Sequence, residues 1–157
     1  MPTRPSLTLK RKLDASPPAI FAAWTDPAQV MRWFGPDSGP PLSAEIDARA
    51  GGRFHIAFRT EDGERHDVSG VYREVRPDTK LVFSWAWKST PERESLVTID
   101  LRPDGKGTML TLTHEQFFDE VARDSHRSGW MGSLDKLERL FGSPAPQSES
   151  NQDRRTA

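Results

Sequence analysis

FFDEVARDSHRSGWMGSLDKLERLF, residues 117–141, reads as one long amphipathic helix. Trp130, Leu134, Leu137 and Phe141 recur at the spacing of one helical face. At about 100° per residue, Ala122, His126 and Leu140 extend that face. Asp124, Arg127, Asp135, Glu138 and Arg139 fall on the other side. Asp119 is the N-cap candidate, and Gly142 followed by Pro144 is the stop signal. Gly129, Gly132 and Ser133 stand in the interior, on or beside the apolar face. Each helical glycine costs ~1 kcal/mol relative to alanine. Two readings stay open. A strand approaches closely there, or the helix leaves room for something under its first half.

Upstream of this helix the chain reads as a sheet. Leu7, Leu9 and Leu13 alternate with polar residues and mark a first strand, preceded by a loose leader, residues 1–6. Arg11 falls on the apolar side of that strand, where the expected arrangement is a strand-end residue reaching solvent. Ser16-Pro17-Pro18 opens a helix with Ile20, Phe21 and Trp24 inside. Asp26-Pro27 opens a second short helix that carries Val30, Trp33 and Phe34 and stops at Gly35-Pro36, before a loop through residues 37–41.

Six further strands follow. Leu42, Ala44 and Ile46 mark the second, and Phe54, Ile56 and Phe58 the inward face of the third. A two-residue turn at Asp62-Gly63 would set these phenylalanines beside Asp67 and Ser69. A three-residue loop with Gly63 left-handed sets them beside His66, Val68, Gly70 and Tyr72, which keeps the inner face apolar and is preferred. Leu81, Phe83, Trp85 and Trp87 share one face of the fifth strand. Val97, Ile99 and Leu101 mark the sixth, then Leu110, Leu112 and His114 the seventh, across a turn at Asp104-Gly105-Lys106-Gly107. Residues 143–157 carry no apolar anchor and read as a disordered tail. The expected domain is therefore residues 7–142. Its class is α+β: a seven-stranded curved antiparallel sheet wrapped around a long C-terminal helix, with two short helices after strand one. One helix cannot fill the concave face of such a sheet, so a cavity between the two is expected.

Composition narrows the function. The chain has 157 residues, 22 Lys plus Arg against 23 Asp plus Glu, and no cysteine. Near-zero net charge gives no global pull toward nucleic acid or anionic membrane. Without cysteine there is no disulfide, thiolate metal site or cysteine nucleophile. No apolar run approaches the ~20 residues of a membrane span, and no signal peptide is evident, so a cytoplasmic protein is expected. The four histidines are scattered and the glycine pairs lack nucleotide-binding spacing, so neither a metal nor another cofactor is expected. The outer basic residues Arg53, Arg59, Arg65 and Arg73 are interspersed with acids and read as a solvated face.

Several words in the chain resemble a known family. They are Ala15-Ser16-Pro17 into Ala22-Ala23-Trp24-Thr25-Asp26-Pro27, and Arg32-Trp33-Phe34-Gly35-Pro36. Gly51-Gly52-Arg53-Phe54, Ser69-Gly70-Val71-Tyr72, Arg76-Pro77 before Leu81-Val82-Phe83, Gly107-Thr108, Leu112-Thr113-His114-Glu115 and Gly129-Trp130 complete the set. Over residues 7–141 the chain is similar to the helix-grip superfamily of START and birch-pollen-allergen-like domains. Within it, the likeness is to bacterial single-domain relatives of the activator of heat-shock protein 90 ATPase. The resemblance implies that fold and a hydrophobic cavity, but no single activity.

The residues themselves supply a candidate site. Trp33, Phe54, Ile56, Phe58, Tyr72, Phe83, Trp85, Trp87 and Trp130 would line a space for a flat apolar ligand, with Gly70 and Gly129 as dents in its walls. His114 reads either as a buried neutral imidazole hydrogen-bonded within the protein or as a polar contact in the cavity, and His126 either as a partly exposed helix residue or as a second group pointing into the same space. The first expectation is a binder of a small hydrophobic or aromatic molecule, monomeric or weakly dimeric. The alternatives are a cyclase- or hydrolase-type enzyme with His114, His126 and Tyr72 as catalytic candidates, and, as the family resemblance alone implies, a stress-response module that stimulates a chaperone ATPase.

Overall fold

The computed structural model describes residues 4–36 and 39–141. β1 (Leu7–Leu13) is followed by α1 (Pro17–Thr25) and α2 (Pro27–Val30). Then come β2 (Ser43–Ile46), β3 (Arg53–Arg59), β4 (Arg65–Arg76), β5 (Lys80–Trp87), β6 (Ser95–Asp104) and β7 (Gly107–Glu115). α3 (Glu120–Leu140) closes the described chain. The strands form one antiparallel sheet in the order β1-β7-β6-β5-β4-β3-β2. β2 to β7 are a meander, and β1 adds to its far edge with Leu9 opposite Leu112. The segment bearing α1 and α2 therefore crosses from one edge of the sheet to the other. α3 covers the apolar face. Val97, Ile99, Leu110 and Leu112 from the sheet and Leu134 and Leu137 from the helix are fully buried together. This is the α+β helix-grip architecture.

Local chemistry sets each element. Pro17 and Pro18 occupy the first turn of α1, where their missing N–H groups need no cap, and the Ser16 hydroxyl makes none. Asp26 caps α2 by accepting from the Ala28 N–H at 3.0 Å. The β3–β4 hairpin takes the apolar register, with Phe54, Ile56 and Phe58 opposite Gly70, Val68 and His66. Gly63 sits at φ +85°, as the three-residue loop requires. Leu42 lies just outside β2 and is exposed.

α3 begins three residues later than the periodicity suggests. Asp119 caps it by accepting from the Ala122 N–H at 2.8 Å. Before the cap, Gln116 adopts φ 69° and Phe117 turns into the core, its ring centroid 4.2 Å from that of His114. Arg11 also departs from expectation. Its side chain is mostly buried and donates to Asp135 at 2.6 Å and to Glu138 at 3.4 Å. α3 brings carboxylates over β1, which gives the guanidinium partners that a strand-by-strand reading does not contain. The Gly142 and Pro144 stop, residues 1–3 of the leader, residues 37–38 of the connector and the tail after 142 lie outside the described residues.

Candidate ligand-binding site

Under the first half of α3 lies a cleft of about 550 Å³. Its walls come from three places. β3 and β5 contribute Phe58, Trp85 and Trp87, the segment after α2 contributes Phe34, Gly35 and Pro36, and α3 contributes His126, Gly129, Trp130 and Ser133. Thr60, His66, Ser89, Ser125 and Ser128 complete the lining. The volume suits a ligand of drug size.

The interior glycines of α3 divide the two sequence readings between them. A Cβ on Gly129 would meet nothing nearer than the Pro36 Cβ at 3.9 Å, so this position is roomy. A Cβ on Gly132 would stand 2.5 Å from the Pro36 carbonyl oxygen, so here the backbone does approach closely. The approaching segment is the turn after α2, not a strand. Ser133 fastens it by accepting from the Gly35 N–H at 3.1 Å.

All five tryptophans form one connected series. Ring centroids are 4.7 Å apart for Trp33 and Trp24, 5.9 Å for Trp24 and Trp130, 5.0 Å for Trp130 and Trp85, and 5.6 Å for Trp85 and Trp87. The series runs from the deep core at Trp33 to the half-buried Trp87 in the cleft wall. Trp33 Nε1 donates to the Ala23 carbonyl at 2.9 Å. The Trp85 indole N–H is buried and has no partner among the described residues.

The two inner histidines converge, with ring centroids 5.1 Å apart. Their nitrogens are nevertheless engaged. Trp130 Nε1 donates to His114 Nδ1 at 3.0 Å, so His114 Nε2 carries the hydrogen and faces the Ser95 hydroxyl at 2.7 Å. Ser95 in turn donates to the Trp85 carbonyl at 3.3 Å. Trp87 Nε1 donates to His126 Nε2 at 2.8 Å, and His126 Nδ1–H donates to the Ala122 carbonyl at 2.7 Å. Burial pushes His114 well below the usual imidazole range, helped by the neighbouring His126. Burial also lowers His126, partly opposed by its bond to Ala122. Both rings are neutral hydrogen-bond junctions.

Of the residues expected at the site, Phe58, Trp85, Trp87, His126, Gly129 and Trp130 line the cleft. His114 does not; it is fully buried behind Trp130 and holds that indole in place. Trp33, Phe54, Ile56, Tyr72 and Phe83 surround a void of only about 20 Å³, because their rings fill the deeper part of the sheet–helix space. Tyr72 packs between Phe54 and Phe83 at centroid distances of 5.8 and 5.7 Å, and burial, with Asp47 nearby, pushes its phenol up. Gly70 is not a dent in a pocket wall. A Cβ there would lie 1.8 Å from the Ser84 carbonyl oxygen and 2.7 Å from the Phe54 ring. Sequence reasoning marked Ser133 beside Gly129 but missed Phe34, Gly35, Pro36, Thr60, His66, Ser89, Ser125 and Ser128. The spacing of Ser125 and Ser128, three residues apart in SHRSGWMGS, residues 125–133, carried part of the signal, since these two fall near one helical face.

The family model described as "Activator of Hsp90 ATPase homolog 1-like protein" matches residues 14–142. The chain belongs to this family. Solved structures of similar proteins agree with the fold. A protein from Chromobacterium violaceum is 26% identical, with a TM-score of 0.79 over 89% of this chain and 99% of that one. A family member from Silicibacter pomeroyi is 29% identical, with a TM-score of 0.78 over 87% of this chain and 96% of its own. A protein from Rhizobium leguminosarum is 27% identical, with a TM-score of 0.75 over 88% and 93%. Among curated proteins, none matches. No described helix is long and apolar enough to cross a membrane. Among the described residues, no group of three or more His, Asp or Glu side chains could hold a metal ion.

Proposed function

We propose that this protein binds a small hydrophobic or aromatic molecule in the cleft beneath the first half of α3. The observation that carries this reading is the 550 Å³ cleft itself, walled by Phe34, Phe58, Trp85, Trp87 and Trp130. Removing apolar ligand surface from water yields roughly 25 cal/mol per Å² before the costs of association. Stacking on indole faces fixes the plane of the ligand. The enzyme alternative draws on the 5.1 Å approach of His114 and His126. However, all four ring nitrogens are already bonded within the protein, and Tyr72 packs among the core aromatics. Proton transfer would first have to break one of those bonds. The chaperone reading follows the family's description alone, and the cleft geometry favours a small molecule.

The test is a panel of apolar aromatic compounds followed by melting temperature and tryptophan emission, with Gly129→Leu as the blocked control. The expected result is a ligand-dependent rise in melting temperature for the wild type. The variant, whose new side chain would occupy the cleft, should lose that rise while remaining folded. A wild-type protein indifferent to every compound would defeat the proposal.

A further inference from the structure

The lining of the cleft points to the chemical class of its occupant, and this step rests on the ligand-binding reading above. None of the fifteen lining residues is Asp, Glu, Lys or Arg. That is unusual in a chain with 45 such residues spread over 157. The Lys136 ammonium lies 3.9 Å from where a Cβ on Gly35 would stand, in the turn after α2, but Lys136 does not line the cleft. His126 supplies no charge, because burial keeps it neutral and both nitrogens are bonded within the protein.

Apart from His126 and His66, whose Nε2 faces the Thr60 hydroxyl at 3.3 Å, the polar side chains that line the cleft are hydroxyls. Thr60 is engaged by its own hairpin, bonding to Asp62 at 2.5 Å, and Ser133 holds Gly35. The Ser89, Ser125 and Ser128 hydroxyls make no side-chain hydrogen bond among the described residues, and all three serines are exposed beside the aromatic wall.

We propose that the ligand is an uncharged planar ring system bearing hydroxyl or carbonyl oxygens at its edge. The indole planes of Trp85 and Trp87 stand at 89° and those of Trp85 and Trp130 at 45°, so the ring stacks on one indole and meets the others edge-on, while its oxygens meet Ser125, Ser128 and Ser89. A carboxylate or ammonium in the same place would lose its water and find no opposite charge. A bare hydrocarbon would stack but leave the hydroxyls unmatched. The cleft therefore selects on charge first and on edge oxygens second.

Three probes share one ring system: 2-naphthol, naphthalene and 2-naphthoate. Isothermal titration of the intact protein at pH 7.5 gives their dissociation constants. 2-Naphthol is expected to bind at least tenfold more tightly than 2-naphthoate and several-fold more tightly than naphthalene. Ser128→Arg, a change at an exposed position, should reverse the order of naphthol and naphthoate. Tighter or equal binding of 2-naphthoate to the wild type would overturn the inference while leaving the cleft a ligand site. Naphthalene matching 2-naphthol would overturn the edge-oxygen part. Binding by none of the three, together with a silent wider panel, would remove the ligand reading itself and this inference with it.

Discussion

At the scale of single residues, Gly129 and Gly132 separate two reasons for a glycine inside a helix. Both lack a Cβ, but only Gly132 needs to. Gly129→Ala should stabilise the protein by up to ~1 kcal/mol, the helix-propensity difference, since its Cβ meets only a carbon at 3.9 Å. Gly132→Ala should destabilise it, because the same methyl would stand 2.5 Å from the Pro36 oxygen and force the turn away from α3. Chemical denaturation of the two variants checks this, and changes of the same sign would refute it. The sequence could pose this pair of readings but not assign them. Helix periodicity places both glycines near one face, whereas the turn bearing Pro36 lies nearly a hundred residues away in the chain. Alternation on β7 correctly turned His114 inward, but nothing local says that Trp130 and Ser95 are waiting for its two nitrogens.

At the scale of elements, what could be read was what neighbouring residues decide. The β3–β4 register followed from keeping Asp67 and Ser69 off the apolar face, and the Gly63 loop permits it. The α3 cap at Asp119 was legible, while the delayed start was not, because Phe117 is drawn inward by His114 rather than by its own helix. The contact between β5 and α3 is likewise non-local. Trp87 bridges them by its bond to His126, at the edge of the cleft. Trp87→Phe keeps a ring in the wall but removes the donor. It should cost about 1 kcal/mol for the lost bond. It should also let water reach His126 Nε2, so that this imidazole titrates at higher pH than in the wild type. Denaturation and a histidine NMR titration read the two effects. Unchanged stability with an unchanged His126 titration would mean the bond holds nothing together.

At the scale of the whole molecule, the fold was legible because a meander with one apolar face must be covered, and one long helix was available to cover it. The size of the cleft was not legible, because counting inward aromatics cannot tell rings that pack on each other from rings that face a void. Phe54, Tyr72 and Phe83 pack on each other, and Trp85 and Trp87 also face a void. That division places two neutral histidines between sheet and helix, and it gives the protein a pH signature. His114 and His126 are both held below the ordinary imidazole range, about 6.5, in the folded state. Above about pH 7 they are neutral in both folded and unfolded chains and contribute no slope. As the pH falls through 6.5 the unfolded chain takes up protons first, so folding weakens with increasing acidity. Each histidine can contribute up to about 1.4 kcal/mol per pH unit in that window, and the pair up to about 2.7. Asp67 acts lower down. It accepts from Arg65 and His55, is held at about 2, and loses its stabilising contribution only as the pH drops from its ordinary 3.8 toward that value. The expected urea-midpoint profile is therefore flat from pH 8 to 7 and falls steadily from about 6.5 to 5. His126→Gln, which retains an acceptor for Trp87 but no titrating ring, should remove part of that fall and leave the plateau. A wild-type midpoint that stays level down to pH 5 would show that neither imidazole is kept neutral by its place in the fold.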